Sequence, residues 1–279
     1  MVKSDRQATL IFDENSNSYN IDSDSRNSNW LAELRQRKTK ESRMGRSKLT
    51  VDTGAINDAI TDFLIKVVRE PLIHFSEADL QQLLVEELRK IDTLSANYPT
   101  KVRRGQNSKS VYQTSLIHRE YGGGQGSRID VVIFDQHDVN EIDDINLTKG
   151  KKYLKPLFAF ELGTEKTSDT KGHFDNDIKK LGKSKETGYL IHIYRDKTKA
   201  KSGSQSRKKT EENIKSGFKE VFAQYRADPK IKILAVLLRI YRHQTRILGK
   251  CEICCSGKWK KININNEDKL REEILEQLR

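Results

Sequence analysis

Two acidic residues, Asp130 and Glu161, stand out because each lies in a short apolar run of the sequence. Asp130 lies within residues 128–134, among β-branched side chains, where a lone charge is costly unless it is paired or binds a metal. Glu161 lies near the end of a second apolar run, residues 156–162. Two carboxylates on neighbouring strands would form a hard-oxygen site that binds Mg²⁺ and leaves room for a phosphate group. The sequence therefore predicts metal-assisted chemistry on a phosphate ester.

The charge of the chain fits a polyanionic substrate. Its 279 residues include 52 Lys and Arg against 40 Asp and Glu, which gives a formal net charge of +12. A strongly basic balance favours nucleic acid as the partner, although charge alone also allows ribosome-like or membrane-surface binding. Together with a metal site, it predicts cleavage of double-stranded DNA with Mg²⁺ as cofactor, for which Mn²⁺ would substitute.

The apolar segments also bear on where the protein acts. None approaches the ~20 residues that a helix needs to cross a bilayer. The N-terminus lacks the apolar core of a secretory signal. We therefore expect a cytoplasmic protein with no membrane partner.

Three cysteines, Cys251, Cys254 and Cys255, crowd into one short segment, which is not a disulfide framework. A closed zinc site needs four ligands, and His243 is the one nearby histidine. In a strand, Cys251, Ile253 and Cys255 would share one face. Buried small apolar side chains are therefore a better interpretation than a zinc site.

The composition divides the chain into an arm and a domain. Residues 1–48 are rich in Ser, Asn and Asp and then in Arg and Lys, and they contain too few apolar residues to order themselves. We predict a flexible polar and basic arm that is either a solvated tail or becomes ordered on DNA or a partner. Residues 49–279 are predicted to form a single domain with its core at about residues 75–240.

Apolar periodicity predicts the elements of that domain. A helix from Thr53 ends before Pro71, and a second helix, capped by residues 76–79, carries Glu87 on its apolar face. A basic loop, residues 101–104, follows, and later elements include strands at 111–121, 128–134, 157–162, 189–194 and 231–241 and helices at 173–182 and 214–225. The chain closes with a β-hairpin and a helix. This order predicts an α/β fold with a mixed central β-sheet flanked by helices.

This order of elements and acidic residues resembles the core of the PD-(D/E)XK nucleases, the restriction-endonuclease-like fold with its αβββαβ core. The resemblance covers roughly residues 75–194, with 214–240 as its continuation. It implies a Mg²⁺-dependent DNA endonuclease of restriction or defence type. Asp130 and Glu161 would bind the metal, and Glu87 would complete the site. The resemblance also allows a homodimer or a larger protein complex.

The sequence departs from the family at one catalytic position. The usual lysine lies two residues after the acidic strand residue, and here that position is Gly163. The resemblance then implies a relocated lysine, for which Lys166 is favoured because it is nearest in sequence. Lys180 and Lys179, on the following helix, are the alternatives. Without such a lysine, the chain would be a catalytically weakened DNA-binding module or a structural subunit of a nucleoprotein complex.

Several basic residues could contact DNA phosphates, although each alone also fits a solvated charge. They are Arg103, Arg104, Arg128, Lys197, Lys199, Lys201, Arg207, Lys208 and Lys209. Asp177, on the apolar side of the helix that carries Lys180, is predicted to be a buried salt-bridge acceptor rather than a metal ligand.

Overall fold

The computed structural model describes residues 51–72, 76–104, 108–122, 128–140, 154–164, 170–196, 205–225, 228–240, 248–254 and 258–278. The chain divides into two compact units, Met1–Lys48 and Leu49–Arg279, and every described residue belongs to the second. The predicted arm, residues 1–48, lies outside the described residues.

The described residues contain seven helices. These are α1 (Thr53–Arg69), α2 (Glu77–Leu88), α3 (Asp92–Ser95), α4 (Gln136–Asn140), α5 (Thr170–Leu181), α6 (Gln205–Tyr225) and α7 (Glu267–Leu278). Helix α2 begins with the predicted cap, since the Asp79 N–H donates to Ser76 Oγ (3.3 Å) and the Ser76 N–H donates to Asp79 Oδ2 (2.8 Å). None of the helices in the described ranges is long and apolar enough to span a membrane.

Seven strands form one mixed sheet in chain order. They are β3 (Ile117–Gly122), β4 (Arg128–Ile133), β5 (Phe158–Thr164), β6 (Gly188–Asp196), β7 (Ile231–Ile240), β8 (Leu248–Cys254) and β9 (Trp259–Ile262). The pairs β5–β6 and β6–β7 are parallel, and the other neighbouring pairs are antiparallel. Helices pack against this sheet. The predicted α/β class with a mixed, helix-flanked sheet is confirmed.

A separate two-stranded sheet corrects two predictions. Strand β1 (Asn97–Arg104) pairs antiparallel with β2 (Ser108–Ser115). The predicted loop at residues 101–104 is therefore strand, and the predicted strand at 111–121 is two strands in different sheets. The break follows Ser115, whose Oγ accepts the N–H of Ile117 at 3.1 Å, and the chain enters the core at the buried Leu116. Side chain-to-backbone bonds of this kind compete with a continuous ladder.

The helices cover the two faces of the sheet separately. Phe160 of β5 stacks on Tyr189 of β6 with ring centroids 5.1 Å apart, and the Tyr189 hydroxyl donates to Asn57 of α1 at 3.0 Å. Because successive strand residues point to opposite faces, Glu161 faces away from α1. On that second face Glu161 contacts Lys180 of α5. The Glu161 face is therefore the α5 face.

The C-terminal elements agree with the predicted hairpin and helix. β8 and β9 pair antiparallel, and α7 follows them. Cys251 and Cys254 are both buried, whereas Cys255 lies outside the described residues. Burial raises the pKa of the Cys251 thiol to about 12, which fits a structural role better than a reactive one.

Candidate functional site

Strands β4 and β5 bring Asp130 and Glu161 together. Val131 pairs with Phe160 across the two strands, so the next position places Asp130 opposite Glu161 on the same face. The pairing between the two strands ends at Val131 and Phe160. Instead, Asp130 Oδ2 accepts the N–H of Leu162 at 2.7 Å, which fixes the carboxylate where the strands part. Both acids are buried, with exposed fractions of 8% for Asp130 and 3% for Glu161.

The pair is electrostatically strained. Burial raises the pKa of Asp130 to about 7, although the hydrogen bond from Leu162 opposes this rise. Burial also raises the pKa of Glu161 well above its usual range, and the charges of Asp130 and Asp177 raise it further. Glu161 Oε1 is buried and has no hydrogen-bond partner among the described residues. Both carboxylates would therefore gain from a nearby cation.

Lys180 of α5 supplies one positive charge to this site. Its Nζ lies 2.8 Å from Glu161 Oε2 and 2.8 Å from Asp177 Oδ1, and it donates to the carbonyl oxygen of Arg128 at 3.1 Å. Asp177 and Lys180 are one helical turn apart, so both reach the sheet from the same side of α5. Among the described residues, three buried carboxylates, counting Asp130, thus face one ammonium group.

The structure distinguishes between the candidate lysines as far as it describes them. Lys180 contacts Glu161, whereas Lys179 is exposed. Lys166, the residue favoured from the sequence, lies outside the described residues. At Gly163 a side chain has no room, because a Cβ there would lie 2.3 Å from His192 Nδ1.

Glu87 does not join the pair. It is buried on α2, where it forms ion pairs with Lys66 of α1 and with Lys90. Although burial alone would raise it, the hydrogen bonds from these two lysines lower the pKa of Glu87. Since α1 covers the face opposite Glu161, this placement separates Glu87 from the site. The contacts of Glu87 with Lys66 and Lys90 therefore do not support its predicted role as a third ligand.

Two further acids approach the pair, and the sequence singled out neither as a ligand. Glu77, half-buried in the first turn of α2, lies near enough for its charge to raise the pKa of Asp130. In the sequence, Glu77 was noted only as part of the predicted helix cap, residues 76–79. Asp177 is buried and bound to Lys180, in agreement with its predicted salt-bridge role. Within the described ranges, no group of three or more His, Cys, Asp and Glu side chains is already arranged around a metal position.

The predicted DNA contacts are described unequally. The Arg128 side chain is 71% exposed and lies 3.8 Å from Glu120, and Lys209 is exposed on α6. Only the backbone is described for four residues: Arg103 and Arg104 at the end of β1, and Arg207 and Lys208 near the start of α6. Lys197, Lys199 and Lys201 lie outside the described residues.

Comparisons with known proteins add little to this geometry. No family model matches the sequence, and no curated protein matches it. Among solved structures, the central domain of yeast acetyl-CoA carboxylase is 8% identical, with a TM-score of 0.28. The match covers 84% of this chain and 34% of that one, so the chain spans about a third of that protein's length. A likeness this weak carries no argument about function.

Proposed function

We propose that the protein is a divalent-metal-dependent endonuclease of PD-(D/E)XK type that hydrolyses phosphodiester bonds in double-stranded DNA. The proposal assigns metal binding to Asp130 and Glu161 and assigns the catalytic cation to Lys180. The observation that supports it most is the 2.8 Å contact between Lys180 and Glu161, beside a second buried carboxylate on the adjacent strand. The order α2, β3, β4, β5, α5, β6, with α3, β1, β2 and α4 as additions, also supports the proposed αβββαβ core.

The residues of the site fit Mg²⁺, with Mn²⁺ as a substitute. Asp130, Glu161 and Asp177 bring three hard oxygen donors towards one ammonium group. The buried Glu161 Oε1, without a hydrogen-bond partner in the described part of the chain, would gain a ligand. Mg²⁺ needs few carboxylates because water and phosphate complete its shell. When bound, the metal would neutralise phosphate charge and lower the pKa of the attacking water.

The side chains of the site have separate roles in this proposal. The N–H of Leu162 holds Asp130 in one orientation, so that its free oxygen can face the metal position. Lys180, held by Glu161 and Asp177, offsets the charge that develops on the phosphate in the transition state. Arg128, exposed two residues before Asp130, would contact a neighbouring phosphate.

The competing interpretation is a weakened DNA-binding module or a structural subunit of a nucleoprotein complex. It depends on the absence of a lysine at position 163. The position of Lys180 weighs against this interpretation, because its ammonium group contacts Glu161 from the neighbouring helix. We therefore favour the enzyme, with a restriction or defence role and a homodimer as extensions of the same proposal.

Cleavage of supercoiled plasmid DNA with Mg²⁺ or Mn²⁺ tests the proposal. Asp130→Asn and Glu161→Gln should each lower kcat by about two to three orders of magnitude, since each removes a charged ligand while keeping its shape. Asp138→Asn is the matched control, because Asp138 is paired with Lys185 near the other end of β5. It should retain nearly full activity. DNA binding by the wild type without cleavage in either metal would instead favour the weakened module.

A further inference from the structure

His192 lies directly against Gly163, in the region next to Glu161. Parallel pairing of β5 and β6 sets Gly163 opposite His192. A Cβ on Gly163 would lie 2.3 Å from Nδ1 and 3.0 Å from Cε1 of the imidazole ring. The obstacle is a rigid ring on a buried strand, and His192 is only 3% exposed. The ring therefore occupies the space that a side chain at position 163 would need.

The same ring contacts the helices above the sheet. The centroid of His192 lies 5.2 Å from that of Phe174 on α5 in an edge-to-face arrangement, and 5.5 Å from that of Phe218 on α6. Phe174 and Phe218 also contact each other, with centroids 4.7 Å apart. Aromatic contacts of this kind have preferred geometries, so they fix the separation of the groups they join. His192 thus fills the layer between β5 and the two helices.

The helix that His192 supports is the one that carries Lys180. Phe174 lies six residues before Lys180 on α5, about 9 Å along the helix axis. Any shift of α5 towards or away from β5 at Phe174 would therefore move Lys180 relative to Glu161. Asp177 lies between these two positions and shares the Lys180 contact.

We infer that His192 is a positioning residue. Its ring lies between Gly163 and Phe174 and sets the distance of α5 from β5, so that Lys180 reaches Glu161. This inference rests on the proposed function for its catalytic consequence. It also accounts for Gly163, because only glycine leaves room for the ring. Gly163 thus leaves the space that the His192 ring occupies, and Lys180 of α5 supplies the positive charge of the site.

Kinetics of two variants test the positioning role. His192→Ala should lower kcat about 100-fold with little change in KM, since a misplacement of about 1 Å can cost that much and Lys180 acts in the transition state. His192→Phe keeps a ring between Gly163 and Phe174 and should recover most of that loss. Equal loss in both folded variants would mean that the imidazole nitrogens are needed, which overturns positioning. Unchanged kcat in His192→Ala would overturn it as well.

A second measurement does not depend on nuclease activity. The Lys180 side chain is 18% exposed, whereas Lys179, its neighbour on α5, is exposed and serves as an internal control. Acetic anhydride labelling, read by fragment-ion mass spectrometry, gives the ratio of modification at the two lysines. His192→Ala should raise the Lys180 share several-fold, and His192→Phe should not. An unchanged ratio in His192→Ala would refute the inference even if the wild type proves to be a nuclease.

Discussion

Replacing Asp130 with asparagine should stabilise the metal-free protein at alkaline pH while removing its activity. Asparagine keeps an oxygen that can accept the Leu162 N–H, which now donates to Asp130 Oδ2 at 2.7 Å. The substitution removes only the negative charge from a residue that is 8% exposed. Burial raises the pKa of Asp130 to about 7, so above that pH the folded chain holds a buried charge that the unfolded chain would expose to water.

The size and sign of the effect follow from that pKa. The pKa of Asp130 is about 7 in the folded protein and about 3.9 for an unfolded aspartate, a difference of about three units, or roughly 4 kcal/mol. The folded state binds the Asp130 proton more tightly than the unfolded state does. The stabilisation that this bound proton gives to the folded state is complete below about pH 4 and is lost as the pH rises through about 7. Wild type and Asp130→Asn should therefore be equally stable near pH 4 and should differ by up to about 4 kcal/mol at pH 8.

Urea denaturation in EDTA, from pH 4 to pH 8, measures this difference. Asp138→Asn is the control, because it loses an ion pair with Lys185 and should show no gain at any pH. Adding Mn²⁺ at pH 8 should then stabilise the wild type and leave Asp130→Asn unchanged, since a ligand stabilises only the state that binds it. If Asp130→Asn is no more stable than wild type at pH 8, or if it still binds Mn²⁺ as tightly, our account of the site fails.

Three further predictions concern the cation, the metal and the DNA. Lys180→Met should lower kcat by about two to three orders of magnitude in the plasmid assay, whereas Lys179→Met and Lys166→Ala should stay near wild type. A loss confined to Lys166→Ala would instead assign the catalytic cation to Lys166. Mn²⁺ affinity, measured by calorimetry, should rise as the pH increases through about 7, because a proton on Asp130 competes with the metal, and a flat profile would contradict this. DNA affinity in filter binding should fall steeply with salt, and deleting residues 1–48 should weaken binding and reduce that slope if the arm binds DNA. Unchanged affinity and slope would mean that the arm binds another partner or is a solvated tail.

The sequence identified the carboxylate pair because its signal is local. A charged residue inside a short apolar run is unusual on its own, and this is the signal by which Asp130 and Glu161 were recognised. The mixed sheet followed from the order of the apolar segments. Strand partners were harder to predict. The sequence predicted one strand over 111–121, whereas β2 pairs with β1 and the chain breaks after Ser115, whose Oγ accepts the N–H of Ile117.

The sequence could not decide which lysine approaches the pair. Lys166 is nearer to Glu161 along the chain, whereas Lys180 contacts Glu161 because α5 packs on the sheet. Helical periodicity did place Asp177 on the apolar side of this helix, but it assigned no side to Lys180. The height of α5 above β5, however, depends on His192, a buried ring whose contact with Gly163 arises from the register of β5 and β6. Such a tertiary contact leaves no local pattern.

Glu87 and Glu161 show why burial of an acid is insufficient evidence for a metal ligand. Both are buried glutamates beside lysines, and the sequence placed both in the site. Two ammonium groups serve the single carboxylate of Glu87, and its pKa is lowered, so its charge is fully compensated. At Glu161 one ammonium group is shared with Asp177 beside Asp130, and its pKa is raised. A compensated carboxylate stabilises the junction between α1 and α2. The uncompensated one would gain from a further cation, which is the physical requirement of a metal site.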